Sequence, residues 1–382
     1  MKFLLKLRPV DWILVASICV LLVVFGLLMA LSSTGATSGV GLGVSEGVAN
    51  ANVWIGFYTH ALAGSFAGFF YGAVVFVCLI VIALVIWSLG GGLLMAVVQK
   101  FRVRKMVPDT FFRDPREVFL AAARRSREVL LVIPIFIFVG LAGIAMGEAN
   151  LFDRVRLADT TVAGWEHALF GNYVFAILGA IPYPHWFILF IIWSFENMAI
   201  IMVVAGIILA YTAVARFHEF LIALCIGILA MIPIWLLLPA LSPQDRFINN
   251  VYQLPVPSQI AQAIANYHPQ QEILDFYTAV RADKNGLPAL PTSTVPSAHV
   301  FWAVLTGYYL FRAGSGKTRS GRVLRWLAWI ALPFLIASSY GTVLLAQHYF
   351  IDVPAGIAVA LLAIWLAHDI EILSPEAKRL RG

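Results

Sequence analysis

The segment HYFIDVPAG (348–356) sets His348 and Asp352 four residues apart between two long apolar runs, and PSAH (296–299) supplies a second histidine, His299. A carboxylate that receives one imidazole N–H fixes the tautomer and stabilises positive charge on the ring, leaving the other nitrogen free to attack. A second imidazole in the same pocket gives a proton to a departing oxygen. The electrophile these groups suit is a phosphorus. Pro296 fits the first turn of a helix, with Ser293 or Thr294 as its cap. The N–H groups of that turn, with Ser297 and His299 within it, face outward and favour an anion. Arg246, in PALSPQDRF, is the best candidate to hold phosphate oxygens; its bland alternative is an anchor to lipid headgroups. No further histidine or carboxylate stands at ligand spacing on these segments, so a metal is the weaker reading and no cofactor is expected.

The elements that must position these groups are membrane helices. Of 382 residues 61% are apolar and only 12% charged, and the mean hydropathy is +0.88. A soluble domain is nearer half apolar and a quarter charged. Apolar runs long enough to cross a bilayer lie near 10–31, 68–98, 128–147, 185–214, 218–241, 296–312, 325–346 and 350–370. The first has basic residues before it, yet its apolar core is too long for a signal peptide. Eight spans put both termini on one side. Two passes separate His299 from His348, which brings both histidines to the same face, and Pro354 requires the last helix to start near Phe350 or Ile351.

Charge fixes the orientation. The N-terminal side receives three basic residues before the first span, nine from Lys100 to Arg127, Arg216, five from Arg312 to Arg325 and three in the tail. The remaining five of the 26 Lys and Arg fall on the other side. The positive-inside rule then makes both termini cytoplasmic and puts the histidines at the extracytoplasmic face. The net charge of +6 belongs to cytoplasmic loops meeting anionic lipid, not to a nucleic-acid surface. Cys19, Cys78 and Cys225 lie in apolar runs and read as core residues. AGSGKT (313–318) imitates a phosphate-binding loop, but Phe311 stands where its first glycine belongs. Among the outer loops, 148–184 contains DRVRLADTTVAGWEHALFG, which reads as an interfacial helix, and 242–295 is the longest polar stretch.

PSAH followed by HYFID resembles the type 2 phosphatidic acid phosphatase superfamily, and within it the inositol phosphorylceramide synthase branch, the aureobasidin target. The resemblance covers 128–370 and implies a six-helix core there. Residues 1–127 would add two spans with a basic cytoplasmic loop, and 371–382 a cytoplasmic tail. It also implies a phosphohistidine mechanism: His348 as nucleophile, Asp352 as its orienting partner, His299 as the acid, and Ser297 in phosphate binding. The phosphatase branch carries Ser-Arg where this chain has Gly341 and Thr342, and its lysine and Arg-Pro motif is missing around Arg246.

The expectation is an all-α polytopic membrane enzyme whose partners are a membrane lipid substrate and a lipid or water acceptor. Transfer of a phosphoryl or phospho-headgroup between lipids is preferred, and hydrolysis of phosphatidate or a polyprenyl phosphate is the alternative. A transporter or scaffold is the minor rival, arguing from polar interfacial residues alone. Glu196, mid-span in IIWSFENMAII, lies about 16 Å of helix inward of His185, deep for the reaction, and reads as a protonated or hydrogen-bonded packing residue, with lining of a headgroup cavity as the minor alternative.

Overall fold

In a computed structural model the described residues are 10–20, 23, 157–250, 254–282, 294–316 and 319–373. The spans expected over 68–98 and 128–147, most of the 1–127 region and the tail after 373 lie outside them. Every described element is helical. The helices are α1 (Val10–Val20), α2 (Asp159–Phe170), α3 (Val174–Gly179), α4 (His185–Glu196), α5 (Met198–Thr212) and α6 (Val214–Leu237). A π-helical turn (Gln244–Ile248) follows, then α7 (Ser258–Ala265), α8 (Gln271–Ala282), α9 (Ala298–Ala313), α10 (Arg319–Leu344) and α11 (Asp352–Leu373).

Three helices, α6, α10 and α11, are long and apolar enough to cross a bilayer. The bent α4–α5 pair is either a broken span or a re-entrant loop, so the protein is an integral membrane protein with three to four candidate spans among the described residues. Two expectations need correction. The 185–214 run is not one straight helix: it bends by 62° at Asn197. The Asn197 side chain donates to the Trp193 carbonyl at 2.8 Å, alongside its own backbone N–H at 3.0 Å, and so competes with continuation of the ladder. The 296–312 run yields α9, only 16 residues and about 24 Å long, short of the ~30 Å apolar slab.

Two apolar clusters organise the chain. One fills the bundle between α5, α6, α9 and α11 and holds Phe217, Phe220, Phe301 and Tyr309. The other lies under a cap formed by α2, α3, α4, α7 and α8, and holds Phe175, Tyr267, Phe276 and Tyr349. The short α9 begins where the two meet, with Ala298 in the first cluster and Val295 in the second. At its other end α9 is tied to α6 and α11 by charge. Buried Glu219 pairs with Arg216 and lies 3.6 Å from Arg312 and 3.9 Å from His368.

Two close approaches set α9 between its neighbours. A Cβ at Gly227 would fall 2.1 Å from the Phe301 ring, and one at Gly356 would fall 2.6 Å from the Ser297 carbonyl oxygen. The second obstacle is backbone, which has no rotamer to move away. Gly356→Ala is therefore expected to destabilise the protein by about 1–3 kcal/mol, read as a fall in Tm in detergent. An unchanged Tm would mean that α11 can back away from α9 without loss.

Candidate active site

The turn that presents His348 is the C-terminal cap of α10. Ala346 takes a left-handed conformation with φ 52°. Its N–H donates to the Val343 carbonyl, and Gln347 N–H to that of Thr342, both at 3.0 Å. This is a Schellman closure, in which glycine is usual at the left-handed position. Alanine there costs about 1 kcal/mol, a strain that the surrounding structure over-determines. The Ala346 carbonyl accepts from Gln244 N–H at 2.9 Å, and the Gln347 side chain donates to that of Gln244. The His348 N–H also returns to Thr342, at 2.8 Å.

Both groups beside His348 Nδ1 are acceptors: the Thr294 carbonyl at 3.0 Å and Asp352 Oδ2 at 3.1 Å. Two acceptors require a donor, so Nδ1 carries the proton, and Nε2 keeps its lone pair with no described residue bonded to it. Asp352 Oδ2 also accepts Tyr349 N–H at 3.0 Å, and the carboxyl is fully buried. The α11 helix starts at Asp352 itself, one or two residues later than expected, with Pro354 still in its first turn.

His299 approaches His348 edge-on, with ring centroids 6.0 Å apart. It is held by packing: its ring stacks on Phe195 at 4.3 Å with planes 15° apart, and Trp302 lies at 5.4 Å. The structure thus brings His299, His348 and Asp352 together. The cap differs from the expectation. Ser297, not Ser293 or Thr294, is the N-cap of α9, and its hydroxyl oxygen accepts Val300 N–H at 3.4 Å. Its own N–H donates to the Asp352 carbonyl at 3.1 Å. The hydroxyl proton alone is left to donate elsewhere.

Arg246 is buried in the π-helical turn, where Nη2 donates to the Pro255 carbonyl at 2.8 Å and Nε lies 4.0 Å from Asp159 Oδ2. Its Nη1 is buried with no hydrogen-bond partner among the described residues. The segment before it is joined to the histidine loops, since Thr294 N–H donates to the Ala240 carbonyl at 2.9 Å. Arg246 is thus internal to the protein and not a headgroup anchor. Gly341 is closed off by α4, where a Cβ would meet Ile191 at 2.9 Å. Thr342 is buried and donates back to the Ser339 carbonyl at 2.7 Å. Neither brings a charge to the site.

Two carboxyls escaped the sequence reading. Glu166 accepts Val174 N–H at 2.5 Å and Phe350 N–H at 2.7 Å. Asp159 accepts Leu241 N–H at 2.5 Å. Burial pushes Glu166 up to about 7, against the two N–H groups that favour its ionised form. Burial likewise raises Asp159 to about 6, opposed by Leu241 N–H and Arg246. Their seven-residue spacing on one face of an interfacial helix was the available signal. Glu196 also departs from its expectation. It is exposed, on a stripe with Trp186, Leu189 and Trp193, and is no packing residue. Its neighbour Phe195 touches His299, so Glu196 lies near the level of the histidines. Among the described residues no three His, Cys, Asp or Glu side chains converge to hold a metal ion.

A membrane helix bundle with a buried and a half-buried histidine paired at one end, the buried one backed by a carboxyl, is the class that fold and site define together. Compared with known families, residues 160–366, more than half of the chain, match the PAP2 superfamily, and the chain belongs to it. That membership carries lipid phosphatase or phosphotransferase-type activity, and its members generally act without a metal. Comparisons with curated proteins and with solved structures returned no match.

Glu166 and Asp159 make stability depend on pH. Each keeps its proton in the folded protein over a range where the unfolded chain has lost it. Their contribution is therefore complete below about pH 4 and is lost as pH rises through about 6 for Asp159 and about 7 for Glu166. The Glu166 share is on the order of 3 kcal/mol. Thermal melts in detergent should show Tm falling between about pH 4 and 7, with a shallower fall in Glu166→Gln. An identical slope in that variant would refute the assignment.

Proposed function

We propose that the protein is a lipid phosphotransferase working through a phosphohistidine at the extracytoplasmic face, similar to the inositol phosphorylceramide synthases. One observation carries this reading: His348 Nδ1 is committed to two acceptors, which leaves Nε2 as the nucleophilic nitrogen. In the first step Nε2 attacks phosphorus, the P–N bond forms and the P–O bond to the departing alcohol breaks. His299 gives its proton to that oxygen. Asp352 stabilises the positive charge that develops on the His348 ring. In the second step the acceptor hydroxyl returns a proton to His299, its oxygen bonds to phosphorus, and the P–N bond breaks.

Arg246 Nη1 is the buried donor that a phosphate oxygen would satisfy, and the Ser297 hydroxyl proton is a second donor. Transfer is favoured over hydrolysis by the closed Gly341–Thr342 segment, which carries no cation of the phosphatase kind, and by the aromatic wall of Phe195 and Trp302 around His299. Hydrolysis of a lipid phosphate uses the same first step with water as the acceptor. The transporter reading gains one bent helix pair at Asn197, but a bundle of paired broken helices is what it needs.

His348→Ala should lower turnover by at least about a thousandfold while Tm stays within a few degrees. Full activity in that variant would overturn the mechanism. Incubation with labelled phospholipids, with and without ceramide or diacylglycerol, tests the acceptor. Label should move to the lipid alcohol, and release of free phosphate regardless of acceptor would establish hydrolysis instead.

A further inference from the structure

We propose that Glu166 and Asp159 are positioning residues, two carboxyls on one face of α2 that fix the His348 turn and the Arg246 turn relative to each other. The inference rests on the phosphohistidine reading above. Seven residues apart, they point the same way and stand about 10 Å apart along the helix. Each is almost fully buried, and each reaches a different half of the site.

Glu166 acts on the nucleophile. One oxygen takes the N–H of Phe350, two residues beyond His348, and the other takes Val174 N–H at the start of α3. The Phe170 ring meets the Phe350 ring edge-on at 5.0 Å, so α2 grips that residue by backbone and side chain together. Asp159 acts on the phosphate side. One oxygen takes Leu241 N–H, ahead of the π-helical turn, and the other faces Arg246 Nε at 4.0 Å. The N–H of Ala158 adds a bond to the Pro239 carbonyl at 2.8 Å. The chain thus brings α2 to two segments that are far apart in sequence and gives each a carboxyl.

Away from that face α2 exposes Trp165 and Leu169. Those groups suit a bilayer interface. The helix therefore rests on the membrane by one face and holds the site by the other. A purely structural helix of this kind needs no buried acid: desolvating two carboxyls is costly, and two backbone N–H groups could be satisfied by neutral side chains or water. Their location opposite Phe350 and Arg246 is what a positioning role requires.

The test uses the full chain in detergent micelles with phosphate-labelled phosphatidylinositol and phosphatidate. Quenched single turnovers without acceptor read phosphoenzyme formation as a rate constant and, separately, an amplitude. Glu166→Gln should keep the amplitude and lower the rate constant by about 100-fold, the effect of misplacing a reacting group by about 1 Å. Glu166→Asp keeps the charge but shortens the reach, and should restore little. Asp159→Asn should instead raise KM about tenfold with a smaller change in the rate constant, because it frees the Arg246 guanidinium. Loss confined to amplitude in both variants would show a merely structural role and overturn the proposal. So would equal effects on KM and rate in the two. Where Glu166→Gln does not fold, the Asp159→Asn split still decides. Absence of any phosphoenzyme in the unsubstituted protein, with turnover retained in His348→Ala, would defeat the phosphohistidine reading itself, and the positioning role with it.

Discussion

The buried carboxyl of Asp352 ties three parts of the chain at one point. Its Oδ2 receives His348 Nδ1–H and Tyr349 N–H, and its backbone carbonyl receives Ser297 N–H. A carboxyl at zero exposure is tolerated only when such donors are present. The end of α10, the start of α11 and the cap of α9 must therefore meet there. That meeting leaves no room for a side chain at Gly356. It also draws the start of α9 below the cap, between the bundle core and the cap core. The two histidines are recessed among aromatic rings as a consequence.

The cap completes this enclosure with rings. Phe276 of α8 packs edge-on against Phe195, whose ring lies flat on His299. The Tyr267 ring occupies the space that a side chain at position 179 would need. Within the cap, further bonds hold α8 and its lead-in to α4 and its lead-in: Gln270 exchanges hydrogen bonds with the backbone of Tyr183, and Glu272 pairs with His185. His299 therefore takes its orientation from packing, whereas His348 takes its own from hydrogen bonds. The two rings are thus fixed by different means, and in the proposed two-step transfer His299 would serve the departing alcohol first and the acceptor second.

Much of this was legible in the sequence, and the rest failed for identifiable reasons. The pairing of His348 with Asp352 follows from their four-residue spacing, and the return of the chain to His299 follows from the α9–α10 hairpin, although α9 is shorter than a full span. The cap of α9 was misread because Ser293, Thr294 and Ser297 are all good caps by type, and only the fold decides which one faces Val300 N–H. Glu196 was judged too deep because its depth was counted along a straight helix from His185. That helix does run unbroken, but Phe195 near its end stacks on His299, so the histidines themselves lie well inward of His185. Glu166 and Asp159 were passed over for another reason. Their shared helix face was legible, but their partners are backbone N–H groups, which carry no residue type for a sequence to display.

Those carboxyls raise a question of charge. Asp159, Glu166 and Asp352 lie around one arginine and one histidine in a site proposed to receive a phosphate. Three full negative charges would repel it. Yet backbone N–H groups of Leu241, Val174, Phe350 and Tyr349 point at the three carboxyls and offset their field. Burial adds a second correction, because Asp159 at about 6 and Glu166 at about 7 retain part of their protons near neutral pH. Asp352 is the carboxyl paired with the imidazole, where negative charge helps once the ring becomes cationic. In the proposed transfer the buried Nη1 of Arg246 and Nε2 of His348 are the groups assigned to the phosphate, and the N–H donors on each acid limit how strongly the carboxyls would repel it.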